Sequence, residues 1–233
     1  MNPSHPGSFH FFRFRGVDVF VHWMWFLVAG YQIQFRGSAY HSMIWNVWEY
    51  LALFGIVLLH EFGHTFACRQ VGGTADRIVL WPLGGVAFVS PPVRPGAVLW
   101  SIAAGPLVNV ALIPVLWIVG KLVAGSALAD TEWMQLVRTV AWINFGLLIF
   151  NMLPVYPLDG GQILQSLLWF GIGRAKSLLV VTIIGALAGV AIAIYGLKQG
   201  DWWVALIGGF ILMQCKAGFE RSRLIARHDA ATR

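Results

Sequence analysis

Residues 56–70 read IVLLHEFGHTFACRQ and carry His60, Glu61 and His64 into an otherwise apolar run. Ionisable side chains are expensive at membrane depth and stay there only with partners or a function. On a helix, residues four apart project within about 40° of each other, while the next residue points about 100° away. His60 and His64 can thus meet one ion, with Glu61 beside it but not on it. That is the pattern of a zinc helix with an adjacent general base. Zinc brings the pKa of a bound water to about 7, and a neighbouring carboxylate can take its proton. Two buried histidines can also simply hydrogen-bond each other, so the pair alone leaves both readings open.

The surrounding composition sets the class. The chain has 233 residues, is 58% hydrophobic and only 11% charged, against roughly 25% charge in ordinary soluble domains. An integral membrane protein is expected. Twelve Trp and 26 Gly suit membrane interfaces and close helix crossings. Cys68 and Cys215 offer no disulfide framework.

A spanning helix needs about 20 mostly apolar residues, and six stretches qualify: 17–35, 43–68, 97–123, 134–152, 177–197 and 201–215. Six crossings return both termini to one side. That side then holds all but four of the 16 Lys and Arg, the exceptions being Arg36, Lys121, Arg138 and Lys198. The bias puts both termini in the cytoplasm, so the net charge of +6 reads as basic cytoplasmic loops rather than a nucleic-acid surface. The bulky HWMWF at 22–26 suits a retained span better than a signal peptide. The expected fold class is an all-α polytopic membrane protein with about six transmembrane helices. Its domain is single, over 1–233: a cytoplasmic N-terminus at 1–16, a transmembrane core at 17–215 and a basic cytoplasmic tail at 216–233.

A catalytic zinc site needs a third protein ligand. FNMLPVYPLDGGQIL, residues 150–164, offers Asp159 between Pro157 and Gly160–Gly161. Pro154 and Pro157 forbid continuous helix, and unwound backbone at membrane depth occurs only inside protein or at a wet cavity. The spans bearing His60 and Asp159 run in the same direction, so both residues fall near the cytoplasmic end.

HEFGH at 60–64, AGPLVN at 104–109 and NMLPVYPLDGG at 151–161 together resemble the site-2 protease family of intramembrane zinc metalloproteases. The resemblance implies one Zn2+ held by His60, His64 and Asp159, with Glu61 as general base. The substrate would be a transmembrane or membrane-associated protein cut within the bilayer. It also implies that LWPLGGVAF, residues 80–88, forms a glycine-rich re-entrant hairpin. An extended edge there, including Gly84 and Gly85, would receive an unwound substrate by strand addition. Asn151 and Asn109 are candidates for substrate or oxyanion contacts. Each has a second reading, Asn151 as a helix cap and Asn109 as a tie between helices. Neither a PDZ-sized insertion nor a nucleotide-sensing domain is expected, which leaves gating to the membrane core, the termini or a separate regulatory protein. The rival readings are a membrane metal-handling or transport protein using the same ligands, and an inactive scaffold that binds transmembrane helices. Localisation is expected in the cell's inner or plasma membrane.

Overall fold

The computed structural model describes residues 7–35, 40–81 and 84–231, with the side chains of 31–35 left aside. It is mostly helical but contains a small sheet, so the all-α expectation is corrected. The elements in order are β1 (Ser8–Phe14), β2 (Val17–His22), α1 (Met24–Phe35), α2 (Met43–Gln70), β3 (Thr74–Trp81), β4 (Gly84–Ser90), α3 (Pro95–Ala124), α4 (Glu132–Asn151), α5 (Asp159–Ile172), α6 (Arg174–Gln199) and α7 (Trp202–Ala231). They group into two compact units.

The first unit comprises residues 1–92 and 104–148. Its sheet has the order β1-β2-β3-β4, with β2 and β3 parallel and the outer pairs antiparallel. Arg15 and Gly16, both at positive φ, make the tight turn from β1 to β2. Val17, Val19 and Val21 alternate along β2 and bury one face with Ile78 and Leu80 of β3 against Val57 and Phe62 of α2. That period of two, built from β-branched residues, is a strand signal. The expected first span at 17–35 is therefore a strand followed by a short helix. Summed hydropathy does not separate the two, because a buried strand and a buried helix are equally apolar.

Phe14 packs on Phe62 and Phe66, Phe11 on Phe54, and Trp25 on Phe54 and Tyr50. The β1–β2 hairpin thus lies along the C-terminal half of α2, and α1 begins beside the N-terminal half. At the end of β2, His22 stacks on Trp81 with ring centroids 4.0 Å apart. Glu49, buried on α2, accepts a hydrogen bond from the Tyr40 hydroxyl at 3.0 Å. The Cys68 thiol donates to the Thr74 carbonyl.

Five helices among the described residues are long and apolar enough to cross a membrane: α2, α3, α4, α6 and α7. At 12 residues α1 is only about 18 Å long, well short of a bilayer core. Across the stretch expected to form the hairpin, β3 and β4 pair antiparallel, with Trp81 opposite Gly84 and Leu80 opposite Gly85. Pro82, expected in its turn, lies outside the described residues.

The second unit comprises residues 93–103 and 149–233. α4 ends at Asn151, and the chain runs irregularly through Pro154 and Pro157 before α5 opens at Asp159. This is the break that the two prolines require. A Cβ on Gly160 or Gly161 would collide with the backbone of residues 152–156, so only this pair lets α5 start tightly against the loop. Gln162 secures the turn by donating to the Pro157 carbonyl at 3.0 Å. α6 and α7 form an antiparallel hairpin, in which Asp201 caps α7 by accepting from the Trp203 and Val204 amides. Their seam is built from small residues: Gly185, Gly189 and Gly196 on α6, and Gly208, Cys215 and Gly218 on α7. Without a hydrophobic force between helices in lipid, such close backbone approach supplies the packing energy. The basic segment after Cys215 continues α7 as helix through Ala231.

A Cβ at Gly208 would meet the Ala193 amide nitrogen at 2.5 Å. Gly208→Leu is expected to splay α6 from α7, cost about 1–3 kcal/mol, and lower the melting temperature of the detergent-solubilised protein. A tryptophan-fluorescence melt measures it.

Candidate metal centre

His60, Glu61 and His64 are all buried, at 5–6% exposure. Their positions follow from the helical period: the two histidines share one face of α2, and Glu61 turns toward β4. The Nε2 atoms of His60 and His64 lie 3.1 Å apart. With Zn–N bonds of about 2.0–2.1 Å, both fit one ion. His60 Nδ1 is 2.6 Å from Asn109 Oδ1 on α3. The Glu61 Oε2 atom accepts the Ala87 amide of β4 at 2.9 Å.

Three glycines make this arrangement sterically feasible. A Cβ on Gly63 would strike the Ala104 carbonyl at 2.6 Å, so Gly63 admits α3 close to α2. A Cβ on Gly105 would overlap both imidazoles, and one on Gly85 would overlap the Glu61 carboxyl group. The missing Cβ of Gly105 thus leaves room for the histidine rings. Two converging imidazole nitrogens with a carboxylate alongside form a donor set suited to zinc.

Within the first unit, then, the fold brings together His60, His64, Glu61, Asn109 and Gly85, while Gly84 opens β4 opposite Trp81. In the second unit Asn151 closes α4 and Asp159, half-buried, opens α5 after Leu158. Sequence reasoning missed Asn144 of α4. It is 1% exposed, accepts from Asn109 Nδ2 and donates to the Asn109 carbonyl, both at 2.9 Å. An asparagine in the apolar stretch WINFGLLIF was the available signal, since a polar group there needs a partner.

A polytopic helical protein with paired histidines and a carboxylate on one buried helix has the make-up of a membrane metalloprotease, and the comparisons place it more narrowly. The model of peptidase family M50 matches residues 121–196, the stretch that includes Asp159. A zinc metalloprotease of Methanocaldococcus jannaschii is 29% identical over 206 residues, covering 88% of this chain and 58% of the relative. Stage IV sporulation protein FB of Bacillus subtilis is 30% identical over 118 residues, covering 49% and 38%. The chain thus spans less than two thirds of these relatives' length. A solved site-2 protease from Methanocaldococcus jannaschii superposes with a TM-score of 0.64 at 26% identity, covering 91% of this chain and 95% of that one. These likenesses mark residues 121–196 as a peptidase family M50 domain, in a chain whose fold is similar to that of a site-2 protease.

The two glycines beside the site separate metal binding from chemistry. Gly105→Ala is expected to weaken zinc binding, read by metal content after dialysis against a chelator. Gly85→Ala is expected to leave zinc in place and to lower the cleavage rate on the order of 100-fold by displacing Glu61. Circular dichroism should show both variants folded.

Proposed function

We propose that this protein is an intramembrane zinc metalloendopeptidase that hydrolyses peptide bonds in or near transmembrane segments of membrane protein substrates. The observation that carries the reading is the placement of Glu61, beside the paired imidazoles and hydrogen-bonded to the amide of Ala87 in edge strand β4. A substrate helix shields its peptide bonds with its own hydrogen bonds, so it must unwind before water can attack. β4 has one edge unpaired by β3 and can take the unwound segment as an added strand. Gly84 and Gly85 allow its backbone close approach, next to Glu61.

His60, His64 and Asp159 would hold one Zn2+. Asp159 is favoured because it is a carboxylate at the end of a proline-broken stretch, where helix is interrupted and Gly160–Gly161 let the chain turn sharply. When bound, zinc supplies a Lewis acid and brings the pKa of water to about 7. Glu61 takes the proton of the attacking water and passes it to the leaving amide nitrogen. Asn151 contacts the substrate backbone or the developing oxyanion. A transport site for the same ion is disfavoured, because ion release needs no carboxylate tied to a strand edge.

Six crossings with both termini cytoplasmic remain the proposed topology, in the cell's inner or plasma membrane. The first crossing would be made by β2 and α1 together. A six-residue strand and a 12-residue helix span about 20 and 18 Å, close to the 42 Å or so of the 28-residue α2 that returns the chain. On this topology the domain is single, with cytoplasmic segment 1–16, transmembrane core 17–215 and basic cytoplasmic tail 216–233. A separate regulatory protein is a proposed partner, and no nucleic-acid role is assigned.

Co-expression with single-span reporters, followed by mass spectrometry of the fragments, tests the activity. Wild type should cut within an apolar segment. Glu61→Gln should retain zinc and lose about 100- to 10,000-fold in rate, whereas Asp159→Asn should lose zinc and cleavage together. Equal cleavage by wild type and Glu61→Gln would refute the assigned base. For topology, single cysteines placed at Ser8 and Ala230, with Cys68 and Cys215 replaced by Ser, should both label only from the cytoplasmic side.

A further inference from the structure

We infer that Asn144, acting through Asn109, fixes which ring nitrogen of His60 carries the proton and so which one faces the metal. The inference rests on the reading of His60 as a metal ligand. A neutral imidazole has one N–H and one lone pair, and the neighbours decide between the two tautomers. An asparagine amide does not by itself settle the choice, because its oxygen and nitrogen ends have nearly the same shape. Here a backbone carbonyl breaks that symmetry.

The carbonyl oxygen of Asn109 can only accept, so the end of Asn144 that lies 2.9 Å from it must be the NH2. The other end of Asn144 is then its oxygen, and the group of Asn109 at 2.9 Å from that oxygen must be a donor. Asn109 is left to present Oδ1 to His60. Its partner at 2.6 Å, Nδ1, must therefore carry the hydrogen. The Nε2 lone pair of His60 is directed to the same point as Nε2 of His64, 3.1 Å away. Asn109 is 0% and Asn144 1% exposed, so no bulk water competes for these bonds. Asn144 touches no reacting atom; it is a positioning residue. Partners of this kind to a metal-bound histidine typically contribute 10- to 100-fold to metal affinity.

A purely structural role, tying α3 to α4, makes different predictions. The test uses the full chain in detergent, labelled with 15N-histidine, together with zinc competition against a chromophoric chelator. Wild type without metal should show His60 protonated at Nδ1. Asn144→Leu should mix the tautomers and weaken zinc binding about 10- to 100-fold. Asn144→Asp should keep the wild-type tautomer and affinity to within about threefold, well inside that range. The Asn109 carbonyl 2.9 Å away demands a donor, so the buried acid is held protonated; its O–H then donates to that carbonyl and its other oxygen accepts from Asn109 Nδ2, which reproduces both bonds of the amide. A wild-type His60 protonated at Nε2 would overturn the inference, and that reading needs no variant. So would an Asn144→Leu protein that melts lower yet keeps the His60 tautomer and zinc affinity. A wild type that binds no zinc would instead refute the proposed function, while the tautomer signal would still decide whether the hydrogen-bond relay operates.

Discussion

Burying two histidines and a glutamate on adjacent turns of an apolar helix is the constraint around which the first unit is arranged. Each of these groups loses hydration and must recover it from protein partners or a metal. Asn109 approaches His60 because Gly63 admits α3, and Gly105 leaves room for both rings. Glu61 is met from the opposite side by an amide of β4, with Gly85 supplying the clearance. The glycines of HEFGH, AGPLVN and WPLGGVAF are thus one device used three times: a missing Cβ where a polar side chain has to sit.

The small sheet follows from the same constraint. Glu61 needs a donor that leaves the rest of its carboxylate available, and an unpaired strand edge supplies one N–H at a fixed position. An open edge is ordinarily a liability, because its amides and carbonyls seek another strand. On the proposed function, in which a substrate must lose its helical hydrogen bonds before it is cut, that same tendency becomes useful. The parallel pairing of β2 with β3 also holds the hairpin that feeds α1 along α2.

In the second unit a glycine-lined α6–α7 hairpin packs on the broken stretch at Tyr156, whose backbone meets Gly185 and whose carbonyl accepts the Cys215 thiol. The prolines interrupt the helix, and these contacts, with the Gln162 bond, give the interruption a definite course. Asp159 therefore begins α5 from a shaped loop rather than from a loose connection.

The sequence by itself determined the membrane class, the long helices, the break before Asp159 and the helix that bears the paired histidines. Each depends on local chemistry: apolar length, proline geometry, or the 3.6-residue period that sets His60 and His64 on one face. The strand character of 17–22 was also legible, in the alternation of Val17, Val19 and Val21, but a hydropathy window averages that alternation away. Only the tertiary structure decided that β2 pairs with β3, joining partners as far apart as Asp18 and Arg77, 59 positions along the chain. It also decided that Ala87 meets Glu61, and that Asn144 and Asn109 orient His60. Those contacts join residues distant along the chain, and a hydrogen bond has direction. Spacing along the chain reveals which faces residues share, but not which polar atoms will meet or which of them will carry the proton.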